Sequence, residues 1–241
     1  MALVAQWRAE VPTLDVLNRL VRDPPPLGLR IAGPVEQSFH RDTYFDAPDW
    51  SLRRRGVMCR FRVQIDDRRF LRVETLGRSD GAVTLVIPQT FEAEVPELEG
   101  SEALAGRSDP ARRLRALIEP ARLVARVELE TERRIRRTRG RWFARAQFEL
   151  VCDVVTVRSQ QLSGSFQELK VRCLRPGRPS LDALAEAFQQ SFGLRPLLVG
   201  KLDRAERLLS DLESAELEGG AGQPRGCGGR VASRIAGAAP A

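Results

Sequence analysis

A strand that carries arginine at every second position constrains this chain more than any other feature. The stretch Thr43 to Val63, TYFDAPDWSLRRRGVMCRFRV, ends in it. Arg60, Arg62 and Gln64 fall in one phase, and Phe61, Val63 and Ile65 in the other. Side chains of a strand alternate between its two faces, so one face here is cationic and the other apolar. Such a face meets water or lines a polar interior. The same alternation recurs along the chain. Arg72 and Glu74 oppose Leu71 and Val73; Glu92 and Glu94 share a phase; Arg126, Glu128, Glu130, Glu132 and Arg134 share another. Arg145, Gln147 and Glu149 follow, continued by Asp153, and then Glu168, Lys170 and Arg172 oppose Leu169, Val171 and Cys173.

A solvated face tolerates any polar mixture, whereas this one repeats both signs of charge in ordered pairs. Enclosed charges need partners, because an unpaired ion away from water is very costly. About eight antiparallel strands of this kind form either an open sheet with a solvated charged face or a closed barrel that removes the edges. In the barrel, arginines would hold a polyanion, and carboxylates would hold those arginines or a divalent cation.

The remaining pattern fits that frame. Strands are expected over 3–10, 36–46, 58–65, 70–75, 83–87, 91–95, 123–135, 142–150 and 166–174, with the turn at Arg139-Gly140-Arg141 joining two of them. Helices are expected over 15–21 behind Thr13, 51–55 before Gly56, 110–118, 181–192 between Ser180 and Gly193, and 201–212. Tyr44, Asp46 and Asp49 read as turn architecture. Residues 1–214 read as one folded domain, and 215–241, rich in Gly, Ala and Arg, as a disordered tail.

Charge points to anionic partners. Lys plus Arg number 39 against 32 Asp plus Glu, a net charge of +7, and the only lysines are Lys170 and Lys201. Arginine's planar fork suits phosphate oxygens, although a GC-rich genome gives the same bias. The runs 53–55 and 133–141 read as solvated; no aromatic residues interleave with them as nucleic-acid stacking platforms would. No run is long enough to span a membrane, and the N-terminus lacks the apolar stretch of a secretory signal. Four cysteines without Cys-x-x-Cys spacing and one histidine, His40, argue against a zinc site. His40 reads as a surface or strand residue, and Cys59 and Cys173 as buried free thiols in a reducing cytoplasm.

The segment YFDAPDWSLRRRGVMCRFRV resembles the signature of the CYTH domain, or triphosphate tunnel, family: a Tyr-Phe-Asp-Thr-Pro-Asp turn, a Leu/Arg segment, a Gly, then an Arg-x-Arg strand. Glu92-x-Glu94 resembles the family's Glu-x-Glu strand, Glu149 and Asp153 its Glu-x-x-x-Asp, and GKLDRA at 200–205 its late lysine segment. FQELKVRC at 166–173 resembles its Glu-Leu-Glu strand. The ordered set spans roughly residues 1 to 212. The resemblance implies an α+β fold, an eight-stranded antiparallel β-barrel with flanking helices. It implies a triphosphate or polyphosphate ligand, bound by Arg60, Arg62, Arg126, Arg134 and Lys201, with Arg8 aligned on the family's first-strand lysine; Lys170 and Arg172, which share a phase of their own strand, either join that anion site or pair with Glu168 or Glu149. It implies Mg²⁺ or Mn²⁺ on Glu92, Glu94, Asp153 and Glu168, with Glu92, Glu94 and Glu168 catalytic in hydrolysis of a triphosphate.

The departures bear on metal. Where the family opens with Glu-x-Glu-x-Lys, this chain has Val4-x-Gln6-x-Arg8 or, shifted by two, Gln6-x-Arg8-x-Glu10. The family's Thr-Leu-Lys is Thr75-Leu76-Gly77 here, and the second glutamate of Glu-Leu-Glu is Lys170. The expectations are therefore a triphosphatase or a metal-poor module that binds triphosphate or polyphosphate without cleaving it. An adenylate cyclase and a polyphosphate polymerase are further alternatives.

Overall fold

The computed structural model describes residues 5–75, 90–141, 143–159 and 162–220. Its strands are β1 (Gln6–Val11), β2 (Arg30–Ile31), β3 (Glu36–Asp46), β4 (Val57–Gln64), β5 (Arg69–Thr75), β6 (Thr90–Glu94), β7 (Val124–Arg139), β8 (Phe148–Arg158), β9 (Ser163–Cys173) and β10 (Arg195–Pro196). They pair antiparallel into one sheet in the order β10-β1-β9-β8-β7-β3-β4-β5-β6, with β2 beside β7. Eight of them are long, as the alternation predicts. No ladder among the described residues joins β6 back to β1, and the strand expected at 83–87 lies outside those residues.

The helices flank this sheet. They are α1 (Leu14–Arg22), α2 (Ser51–Arg54), α3 (Gly100–Ala105), α4 (Asp109–Arg115), α5 (Leu181–Phe192) and α6 (Lys201–Gly220). Their ends follow local chemistry. Thr13 accepts from the Val16 amide and Ser180 from the Ala183 amide, so each satisfies an otherwise orphaned helix donor. Gly193 closes α5 in the left-handed region at φ +65°, where a side chain would be strained. Asp46 caps α2 by accepting from the Leu52 and Arg53 amides, so its role as turn architecture holds. α6 runs past residue 215, the expected start of the tail, to Gly220. No helix among the described residues is long and apolar enough to cross a membrane.

Three apolar clusters place these helices. α1 and α5 cover the outer face of β1, β8 and β9, burying Trp7, Leu17, Leu20, Leu150, Leu184 and Phe188. α3 and α4 cover the outer face of β4 and β5. α6 is different: Ala205 and Leu209 pack on Tyr44, Val127, Leu129, Val155, Val157 and Phe166, which belong to the opposite, inner face.

Two strands differ from expectation. β8 begins at Phe148 and runs to Arg158, so Arg145 and Gln147 precede it, and the turn at 139–141 is part of a longer connection. The acidic phase of β7 faces away from the interior. Val127, Leu129, Thr131 and Arg133 take the inner phase, because α6 covers that side with apolar surface. Glu128, Glu130 and Glu132 lie on the outer face, where Glu130 pairs with Arg158. Regular charge alternation on this strand marks water.

The ring centroids of Trp7 and Phe188 stack 6.5 Å apart, and Phe188 is 1% exposed. Phe188→Ala is expected to cost about 3–5 kcal/mol in urea unfolding. Leu198→Ala, at an exposed position, should stay within about 0.5 kcal/mol of the parent.

Candidate functional site

The centre of the charged face is buried, with the side chains of Arg60 and Arg62 11% and 16% exposed, while Glu92 at its β6 end is 41% exposed. Asp42 and Asp153 are 0% and 1% exposed. Cross-strand register assembles the face from neighbouring strands. Glu10, Glu168, Asp153 and Arg133 form one row across β1, β9, β8 and β7. Arg8 and Lys170 stand side by side in the next row, and Arg172, Glu149 and Arg137 in the one after. On the other half, Asp42, Arg62, Phe70 and Glu94 align across β3, β4, β5 and β6, with Tyr44, Arg60, Arg72 and Glu92 beside them.

Two aspartates hold this interior together. Asp42 takes the Arg62 fork, from Nε at 2.7 Å and Nη2 at 2.8 Å, and Arg60 reaches the same carboxylate at 3.4 Å. Asp153 takes the Arg133 fork at 2.8 Å twice, and Lys201 Nζ at 2.6 Å. Burial alone would raise both carboxyls. The facing cations outweigh it, Arg60 and Arg62 for Asp42, Lys201 and Arg133 for Asp153, and hold each well below the usual range. Both are ionised at neutral pH. His40 lies 3.7 Å from Asp42, but burial, helped by Arg62, Arg133 and Lys201, lowers it to about 3 against the pull of Asp42. It is a buried, neutral strand residue.

Lys170 stands apart from these pairs. It is half-buried and forms no ion pair among the described residues. Burial pushes its ammonium down to about 7, and Arg133, Arg172 and Lys201 push the same way while Asp153 opposes them. Nearby, Arg172 pairs with Glu149 at 2.8 Å, and Arg8 donates to the Val199 carbonyl at 2.9 Å. Arg60 Nε and Arg172 Nε are buried without an acceptor. Unsatisfied guanidinium donors and an ammonium without an ion pair are groups that the oxygens of an anion can compensate.

Of the residues singled out from sequence, Arg8, Arg60, Arg62, Lys170, Arg172, Asp153, Glu168 and, at its β6 end, Glu92 and Glu94 share this face, and Lys201 of α6 reaches it. Arg134 does not. It lies on the outer face and donates to Asn18 of α1 at 2.7 Å, while Arg133, one residue earlier, points inward. Arg126 is the extra residue of a bulge between the pairs Tyr44–Val127 and Phe45–Ala125, and its guanidinium sits 4.2 Å from the Trp50 ring centroid. The arginine runs are not simply solvated. Arg53 pairs with Asp203 and Glu206, and Arg136 is buried. Tyr44 belongs to the buried interior rather than to the turn. Asp42, Arg133 and Arg204 escaped sequence reading. The alternation His40-x-Asp42-x-Tyr44, in register with Arg60 and Arg62, is the signal that could have found Asp42.

Three of the four carboxylates expected to hold a divalent metal already face cations. Glu92 lies 3.8 Å from Arg60 and 3.6 Å from Arg72. Asp153 receives three charged donors, and Glu168 faces Lys201 at 3.5 Å and Arg204 at 3.7 Å. Among the described residues no three Asp, Glu, His or Cys side chains gather as a metal-ligand group.

Comparison with known proteins agrees with this architecture. A Hippeastrum protein, described as an adenylyl cyclase with a dominant triphosphatase activity, shares the fold with a TM-score of 0.61 at 15% identity, over 85% of this chain and 95% of its own. The PH1819 protein of Pyrococcus horikoshii gives 0.51 at 13% identity, over 86% and 99%. No curated protein sequence matches. The model of the CYTH domain matches residues 29–209, most of the described chain. With the enclosed Arg-x-Arg face and the antiparallel sheet around it, that match places this chain in the CYTH domain family.

Proposed function

We propose that the enclosed basic face binds the triphosphate group of a small inorganic, nucleoside or organic triphosphate. The observation that carries this reading is Lys170, a half-buried ammonium without an ion-pair partner among the described residues, flanked by Arg8, Arg133 and Arg172. A fold does not keep such a charge for stability, because burying it unpaired is unfavourable. A phosphate oxygen would compensate it and would accept from the unsatisfied guanidinium donors. Glu149, Asp153 and Asp42 then serve to orient arginines.

The activity described for the Hippeastrum relative makes hydrolysis the reaction to test. Water would attack the terminal phosphorus, its proton passing to a carboxylate or to solvent, as the bond to the bridging oxygen breaks and the remaining phosphate chain leaves, with Arg60 and Lys170 stabilising the developing charge. Glu92, Glu94 and Glu168 are the candidate catalytic acids. A binding module that does not cleave its ligand is the second reading, favoured by the cations that already face Glu92, Asp153 and Glu168. Cys59 is a buried free thiol as expected, and so is Cys152, whereas Cys173 is only half-buried; thiols of this kind suit a reducing compartment, and a cytoplasmic location is our proposal on that ground.

Calorimetric titration of the full chain with tripolyphosphate tests the ligand, and phosphate release from the same sample tests the reaction. Lys170→Met is expected to weaken tripolyphosphate binding roughly tenfold to hundredfold, the worth of a charge-assisted hydrogen bond. Stability should move the other way. Folded Lys170 titrates at about 7 against 10.5 when free, so the unfolded chain binds the extra proton between those values. Stability therefore rises with pH through that window, and the penalty is fully present below it. Lys170→Met should remove that slope and be more stable near pH 7 by roughly 2–5 kcal/mol. A variant that loses both stability and affinity would count against a binding role.

Proton linkage gives a separate check. Near pH 8 the free protein holds Lys170 mostly neutral, and a bound polyanion raises its affinity for a proton. Binding should take up close to one more proton in the parent than in Lys170→Met. The dependence of the calorimetric enthalpy on buffer ionisation enthalpy measures that difference. Equal uptake in the two proteins would remove Lys170 from the site.

A further inference from the structure

Three carboxylates stand in one row across adjacent strands. Glu10 on β1 faces Glu168 on β9, which faces Asp153 on β8. Like charges directly opposite one another across strands destabilise a sheet unless cations lie between them. A divalent ion is one solution. The first turn of α6 supplies another. Lys201 and Arg204, three residues apart, share a face of that helix. Lys201 Nζ lies 2.6 Å from Asp153 and 3.5 Å from Glu168. Arg204 lies 2.9 Å from Glu10 and 3.7 Å from Glu168.

Contacts around the first turn of α6 hold the helix in place. Arg204 sits 4.1 Å over the Phe166 ring. The Gly200 amide donates to Asp203, fixing the start of the helix, and Arg53 of α2 clamps Asp203 and Glu206. Beyond this turn Ala205 and Leu209 are buried in the apolar part of the inner face. The backbone that carries the two cations is therefore held against the inner face.

We infer that Lys201 and Arg204 occupy the place of a divalent cation, so that this face binds triphosphate without metal. The inference rests on the triphosphate reading above. A metal entering the row would meet two fixed positive charges and carboxylate oxygens already committed to charged donors. The ligand's charge would be met by Lys170, Arg8, Arg172 and Arg60, none of which needs a metal bridge.

The test is calorimetry of the full chain with tripolyphosphate, once in EDTA and once in millimolar Mg²⁺, with Mn²⁺ alone titrated in parallel. The expected result is binding in EDTA as tight as in Mg²⁺, to within about threefold, or tighter, and no heat from Mn²⁺ alone. Binding that appears only with metal, or saturable Mn²⁺ binding by the parent protein, overturns the inference while leaving the triphosphate reading standing. Absence of binding under both conditions sinks that reading itself and the inference with it. The double variant Lys201→Ala, Arg204→Ala uncovers the acidic row. Its melting temperature should rise on adding Mn²⁺ while that of the parent does not move. A folded double variant indifferent to Mn²⁺ would show that the row is not a latent cation place.

Discussion

Two buried carboxylate–guanidinium forks carry this structure. An ionised group inside a protein is tolerated only when it is paired and hydrogen-bonded. Asp42 with Arg62, and Asp153 with Arg133, meet that demand with near-ideal bidentate geometry. Removing one partner strands the other, at a cost of about 3–5 kcal/mol. The forks also sort the cations of the interior. Arg62 and Arg133 are committed to carboxylates through two donors each. Arg60 touches Asp42 only at 3.4 Å and keeps an unpartnered Nε, and Lys170 has no ion pair among the described residues. The first pair keeps the face ordered, and the second is what a ligand would use. Positive charge alone does not distinguish these roles; the hydrogen bonds already made do.

The inner face is divided along its strands, and the division falls at one level. On β7 the inner residues pass from Val127 and Leu129 to Arg133; on β8 from Val157 and Val155 to Asp153 and Glu149; on β9 from Phe166 to Glu168, Lys170 and Arg172. α6 lies on the apolar side of that level, and its first residue, Lys201, marks the boundary. The helix therefore closes one part of the face with apolar packing and presents its cationic first turn to the other part. A helix N-terminus favours anions through its dipole, and Asp203 already caps it. Lys201 and Arg204 thus work with Asp153, Glu168 and Glu10 rather than with the dipole.

Much of this was legible in the sequence where a strand obeys one rule on both faces. β3 spans 36–46 as expected, and β4, β5, β6 and β9 put the expected phase inward. The failures occur where a tertiary partner changes the rule. On β7 the inner phase is apolar because α6 covers it, so Glu128, Glu130 and Glu132 mark solvent and the inward arginine is Arg133 instead of Arg134. At Arg126 a bulge interrupts the alternation, and no phase argument survives an extra residue. Arg53 looked solvated because its partners, Asp203 and Glu206, lie 150 or more positions away in sequence. The carboxylates suggested a metal because their type and order resemble a metal set; only the geometry shows the cations already upon them.

The titration of the site follows from the same pairing. His40 looks like the natural pH sensor, being the only histidine, yet it is silent there. Burial and the surrounding cations hold it to about 3, so it is neutral throughout the range around neutral pH. Asp42 and Asp153 are ionised over that range for the opposite reason, since the cations facing them outweigh burial. Tyr44 is pushed up to about 12 by burial and by Asp42, and Cys152 to about 12 by burial and Asp153. Among the described groups with a resolved shift on this face, Lys170 alone is brought to neutrality, to about 7. An interior rich in fixed charge thus behaves near neutral pH as a nearly constant field with one adjustable cation. That cation lies beside Arg8, among the arginines a phosphate chain would meet.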